Sequence, residues 1–227
     1  MMDYFETDLG KLIDSKKVDL TENDTKVVMK QILIALKILH DNYILHRDVK
    51  PSNVLVGTDG KCVLTDFGLA RRFAAPDQEL TRGVITRWYR PPEILFGARF
   101  YGEKVDVWGL GCIFAECFLK KPLFPGETDL DQLSKIFGIR GNPSKEVWPD
   151  VEELPYYFQF EETVGYPLSK ILSNASERAV QLIEDMLQLD PNKRPKLEDL
   201  IKDEYFNVGE KEYEDFASKV KVAFGSE

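Results

Sequence analysis

The sequence predicts a mainly α fold with one small β-hairpin set against the helices. Three observations carry this. Apolar residues recur at helical spacing in several separate segments. The run Val105–Leu119 is apolar nearly all round, as a central buried helix would be. The only strand-like signal is a pair of short apolar runs, Val54–Val56 and Cys62–Leu64, separated by Gly57-Thr58-Asp59-Gly60.

Taken in order, Thr21 with Asp24 three residues on forms a capping box. Val28, Ile32, Ala35, Leu36 and Leu39 then mark one buried helical face. The hairpin follows. Residues 66–104 are rich in Arg, Pro and Gly without a sustained period, which predicts a long functional loop. After the Val105–Leu119 helix, Thr128 caps another, with Leu130, Leu133, Ile136 and Phe137 expected on its inner face and Gly138 as its stop. Residues 139–170, with many aromatics and prolines, read as an irregular packed insertion. Ser176 opens a helix carrying Ala179, Leu182, Ile183, Met186 and Leu187, and a last helix is expected near Lys196–Asp203.

The chain has 227 residues, 43% hydrophobic and 30% charged, enough apolar material for a sizeable core. Its net charge of −9 argues against general nucleic-acid or membrane binding. Three cysteines, Cys62, Cys112 and Cys117, with no C-x-x-C spacing, read as buried reduced thiols. Asp3, Glu6 and Asp8 near the start do not read as a signal peptide, and the longest apolar run is too short to cross a bilayer.

Two short motifs flank the hairpin. His46-Arg47-Asp48-Val49-Lys50-Pro51-Ser52-Asn53 precedes it and Asp66-Phe67-Gly68 follows it. Either alone is weak; together they match H-R-D-x-x-x-x-N followed by D-F-G, the pattern of phosphoryl transfer to protein. Asp48 and Asn53 can face one reaction centre from a single loop, and Asp66 returns to it from the hairpin's far end. Asn53 and Asp66 offer hard oxygen ligands to Mg2+. Asp48 is placed to accept or orient a hydroxyl proton, and Lys50 to meet the transferring phosphate of ATP as a point charge.

On these residues the chain resembles the protein kinases over nearly its whole length, which implies the large, C-terminal lobe of that fold with the hairpin at the catalytic cleft. Trp88-Tyr89-Arg90-Pro91-Pro92-Glu93 then closes an activation segment, with Pro91 where the family usually has Ala. Glu93 is expected to pair with Arg194, and Asp106 to brace the catalytic loop. Lys50 is similar to serine/threonine rather than tyrosine kinases. Thr86-Arg87-Trp88-Tyr89-Arg90 resembles the cyclin-dependent kinases. The resemblance implies a catalytic part for Thr86, a phosphorylation site at Thr81, phosphate pairing by Arg47 and Arg71, and a preference for proline after the target Ser or Thr set by Ile85 and Arg90. The segments 95–102, 129–133 and 146–150 resemble the TFIIH-associated type, although Ala75 and Pro76 stand where its activation loop carries a serine.

The resemblance further implies a domain at 1–206, with the hinge at 1–9, the catalytic loop at 46–53, the activation segment at 66–93, and a C-terminal tail at 207–227. Asp3 and Phe5 would meet adenine through their backbone, Asp8 the ribose, and Leu55 would form the floor. Neither a G-x-G-x-x-G loop nor a V-A-I-K lysine occurs in these residues, so the small lobe is expected to be missing and the chain by itself to bind ATP weakly. The expected partners are a cyclin-type subunit and protein substrates with Ser/Thr-Pro, in the nucleus or in nucleus and cytoplasm. The alternative is a kinase-lobe remnant that binds partners without catalysis.

Overall fold

The computed structural model describes residues 5–73 and 85–225. The loops that carry the two motifs are built on a small sheet. Strand β1 (Thr7–Asp8) pairs with β3 (Val54–Val56), which pairs with β4 (Cys62–Leu64), every pair antiparallel. The hairpin β3–β4 closes where Gly57 N–H donates to Lys61 O at 2.9 Å, as the Gly-Thr-Asp-Gly signal implies. A second two-stranded ladder joins β2 (Ile44–Leu45) to β5 (Arg71–Arg72).

The helices run from α1 (Leu9–Ile13) and α2 (Glu22–Asp41) through α3 (Pro92–Leu95), α4 (Lys104–Leu119), α5 (Asp129–Arg140), α6 (Leu168–Ile171), α7 (Glu177–Met186) and α8 (Leu197–Lys202) to α9 (Glu210–Phe224). The capping box forms: Thr21 Oγ1 accepts from Asp24 N–H, and Asp24 accepts from Thr21 N–H at 2.7 Å. Helix α4 is buried from Val105 through Phe118 and is the axis of the core. Gly109 matters here: a Cβ at that position would lie 2.9 Å from Val49 O, so only glycine lets α4 touch the loop that holds Asp48.

Three expectations need correction. Gly138 does not stop α5; the helix continues to Arg140 and ends at Gly141, whose φ of +76° is the left-handed conformation that favours glycine. Leu130 is not on the inner face but 55% exposed, because it lies in the first turn, where no neighbour covers it. Residues 66–104 are not all loop, since β5, α3 and two 3-10 turns are spaced along the described part. The described part of the C-terminal segment carries α9, which buries Phe216, Val220 and Ala223, with Gly209 N–H bonded to Glu212 at 2.9 Å.

Among the described residues no helix is long and apolar enough to cross a membrane. The three cysteines are free and buried, and burial pushes their thiols well up, as unreactive core groups require.

Candidate active site

The loop between β2 and β3 carries Asp48, Lys50 and Asn53, and α4 reaches it from below. Asp106, in the first turn of α4 and buried, accepts from His46 N–H at 2.9 Å and from Arg47 N–H at 2.8 Å. Its Oδ2 also accepts from His40 Nε2 at 2.9 Å. Arg47 sits at φ +64°, a costly conformation for a residue that carries a Cβ, and the Asp106 bond helps to hold it there.

His46 links this loop to the far end of the hairpin. Its Nε2 donates to Thr65 O at 2.9 Å and its Nδ1 accepts from Asp48 N–H at 3.3 Å, which assigns the neutral Nε2–H tautomer. Thr65 N–H in turn donates to Asn53 O at 3.0 Å. Asp66 is therefore delivered beside Asn53 by a residue bonded to the catalytic loop through both its backbone groups. Asp66 has φ +63°, is exposed, and accepts from Gly68 N–H at 3.3 Å. The Phe67 ring lies 5.2 Å from that of His46.

Asp48 is the focus of the polar network. Thr86 Oγ1 donates to its Oδ1 at 2.6 Å and Thr86 N–H at 3.2 Å. Lys50 Nζ lies 2.6 Å from Oδ2, which also accepts from Asn53 Nδ2 at 3.0 Å. Lys50 further donates to Thr86 Oγ1 at 2.9 Å. Burial works to raise the Asp48 carboxyl, but Lys50 and Thr86 outweigh it and hold the group below its ordinary value. A carboxylate this weakly basic orients a hydroxyl better than it strips one.

The predicted nucleotide wall is brought together in part. Asp8 and Leu55 are partners across the β1–β3 register. Asp8 also caps α1 and holds Lys11 Nζ at 2.9 Å. Phe5 is half-buried at the start of the described chain, while Asp3 lies outside the described residues. The donors fit magnesium. Asn53 spends its amide hydrogens on Asp48 O and Oδ2, which leaves its carboxamide oxygen to join Asp66 in a hard-oxygen pair. Among the described residues no group of three or more His, Cys, Asp or Glu could cage a metal.

Of the residues expected to set the preference for proline, Ile85 is buried, and its carbonyl accepts from Arg90 Nε at 3.1 Å and Nη2 at 2.7 Å. Arg47 is buried, donating from Nε to Leu69 O at 2.7 Å and from Nη1 to Tyr101 OH at 3.1 Å. Arg71 is exposed on β5. Thr81 lies outside the described residues. Glu93 and Arg194 form a buried bidentate pair at 2.7 Å on both arms, with the Arg194 guanidinium 4.9 Å from the Trp108 ring. The periodicity and motifs do not single out His40 or Thr65, nor the bond between Arg90 and the Asp129 carboxylate; each acts through a contact between segments distant in sequence.

A protein kinase domain model matches residues 1–206. Cyclin-dependent kinase 7 of Caenorhabditis elegans is 44% identical over 209 residues, covering 92% of this chain and 63% of that protein. Cyclin-dependent kinase D-1 of Oryza sativa subsp. japonica is 41% identical over 206 residues, covering 91% and 49%. The chain thus spans about half to two thirds of the length of these relatives. Two solved structures superpose with a TM-score of 0.86. The yeast RNA Pol II CTD kinase CTDK-1 complex does so at 37% identity, covering 91% of this chain and 70% of that one. The CAK complex of Chaetomium thermophilum bound to ATP-gamma-S does so at 38%, covering 92% and 67%. With a polar network centred on Asp48 and a mainly helical lobe around it, the chain belongs to the protein kinase domain family, and the relatives named above are cyclin-dependent kinases.

Proposed function

We propose that this protein is a serine/threonine kinase of the cyclin-dependent type, moving the γ-phosphate of ATP to Ser or Thr followed by Pro. The observation that carries the proposal is the Asp48 carboxylate, held by Lys50, Asn53 and Thr86 in one network. Asp48 orients the substrate hydroxyl, and Lys50 meets the transferring phosphoryl group. Asn53 and Asp66 hold Mg2+, which when bound spreads the charge that develops on the phosphate oxygens. Thr86 ties the activation segment to the catalytic loop, so that substrate platform and base move as one body.

The preference for proline follows from Ile85. Its carbonyl is taken up by the Arg90 fork, so a backbone N–H passing there finds no acceptor, and proline alone has no N–H to leave unpaired. The likeness to a CTD kinase and a CAK complex supports a cyclin-type partner, RNA polymerase II C-terminal repeats among the substrates, and nuclear work in transcription or cell-cycle control. The test is incorporation of phosphate from Mg-ATP into a Ser-Pro repeat peptide by the protein with a cyclin-type subunit. Asp48→Asn is expected to lower the rate by about a hundredfold or more. An unmodified peptide, or full activity of Asp48→Asn, refutes the proposal.

A further inference from the structure

Two arginines of the activation segment converge on one carboxylate at the start of α5. Arg90 Nη1 lies 3.1 Å from Asp129 Oδ1 and 3.3 Å from Oδ2. Arg87 Nε lies 3.0 Å from the same Oδ1, and its Nη1 donates to Glu127 O at 3.0 Å. The Arg90 side chain is only 12% exposed, whereas Asp129 is 54% exposed on the outer side. The inner edge of the Arg90 fork grips Ile85 O. A planar guanidinium offers its donors in fixed directions, so what holds the outer edge aims the inner one.

We infer that Asp129 is a positioning residue for the choice of residue after the target Ser or Thr, acting through Arg90 on the Ile85 carbonyl. The inference rests on the proposed kinase reading. Without the carboxylate, Arg87 and Arg90 are adjacent cations with no shared counter-charge. Burial already disfavours the charged form of Arg90, and Arg87 adds to that. Arg90 then turns toward water and releases Ile85 O, which becomes free to accept an N–H. Residues other than proline gain by that release.

The local fold does not depend on Asp129. Trp88 Nε1 donates to Gly126 O at 3.1 Å, and Gln132, buried on α5, accepts from Gly126 N–H at 2.9 Å. These bonds hold the segment to α5 whatever stands at 129. Specificity and stability can therefore be read apart.

The experiment compares kcat/KM for matched Ser-Pro and Ser-Ala peptides, using the protein in its active complex. Asp129→Asn is expected to lower the Pro-to-Ala ratio by about fivefold, the scale of a partly exposed ion pair. Its thermal midpoint is expected to stay near that of the unaltered protein, and Asp129→Glu to restore the ratio. If the unaltered protein discriminates but Asp129→Asn keeps the ratio, or loses rate equally on both peptides, the inference is overturned. An unaltered protein that phosphorylates neither peptide overturns the kinase reading itself.

Discussion

Replacing Asp106 by Asn changes one atom and breaks the joint between the core helix and the catalytic loop. The carboxylate accepts three hydrogen bonds through two oxygens: from His46 N–H and His40 at Oδ2, and from Arg47 N–H at Oδ1. A carboxamide has one oxygen. Whichever way it turns, its NH2 faces at least one N–H donor, and the site is 1% exposed, so water cannot repair the mismatch. An orphaned buried donor costs about 1–3 kcal/mol, and the surviving bonds lose their charge assistance, for a total on the order of 3 kcal/mol. In a chain of this size that corresponds to a fall of about 9 °C in the unfolding midpoint. The functional effect exceeds the thermal one in kind. Arg47 is held at φ +64° by this bond, and Asp48 follows it directly. If the loop relaxes by about 1 Å, the phosphoryl-transfer rate falls by about a hundredfold. Circular-dichroism melting and peptide phosphorylation read the two effects separately. An Asp106→Asn protein that melts within about 2 °C of the unaltered one and keeps its rate refutes this account of the joint.

Glu93→Gln leaves Arg194 charged, buried and short of its bidentate partner, which costs about 3–5 kcal/mol by urea unfolding; adding Arg194→Met should recover part of that loss, and a smaller effect in the single variant than in the double one contradicts the reasoning. Glu116 gives a pH signature: burial raises its carboxyl to about 7 from an ordinary 4.5, against the pull of the hydrogen bond from Tyr89 OH at 2.8 Å. A raised folded-state value means that the fold favours the protonated acid, so this contribution is full below about pH 4.5 and disappears as pH climbs through about 7. The unaltered protein should therefore lose on the order of 3 kcal/mol between about pH 5 and pH 8 relative to Glu116→Gln, and a flat difference between their stability curves over that interval would rule the mechanism out.

Where pattern and structure agree, the determinant is local. The hairpin forms between the two apolar runs because five residues, Gly57-Thr58-Asp59-Gly60 and Lys61, separate them, and its register, Val56 opposite Cys62, follows from that length. Helices α2 and α7 lie where period and caps place them, since each capping bond spans three residues, and α4 lies where the continuous apolar run places it. The disagreements are also physical. The pattern points to Gly138 as the end of α5, whereas the helix runs on to Gly141, where the backbone turns to positive φ. The segment 210–224 lacks a motif, and its helix is secured by packing Phe216 and Val220 into the core rather than by its own capping alone.

The amino-acid sequence by itself singled out the candidate catalytic groups, because phosphoryl transfer requires a particular acid, amide and lysine at set spacings on short loops, and such spacing is legible without any knowledge of the fold. Only the tertiary structure decided how those groups are held: Asp106 reaching His46 and Arg47 across about sixty residues, Thr86 closing on Asp48 from the activation segment, and Asp129 gathering Arg87 and Arg90. The reason is that a hydrogen bond between distant segments leaves no period in the sequence. It exists only once the core around α4 has brought both partners within about 3 Å.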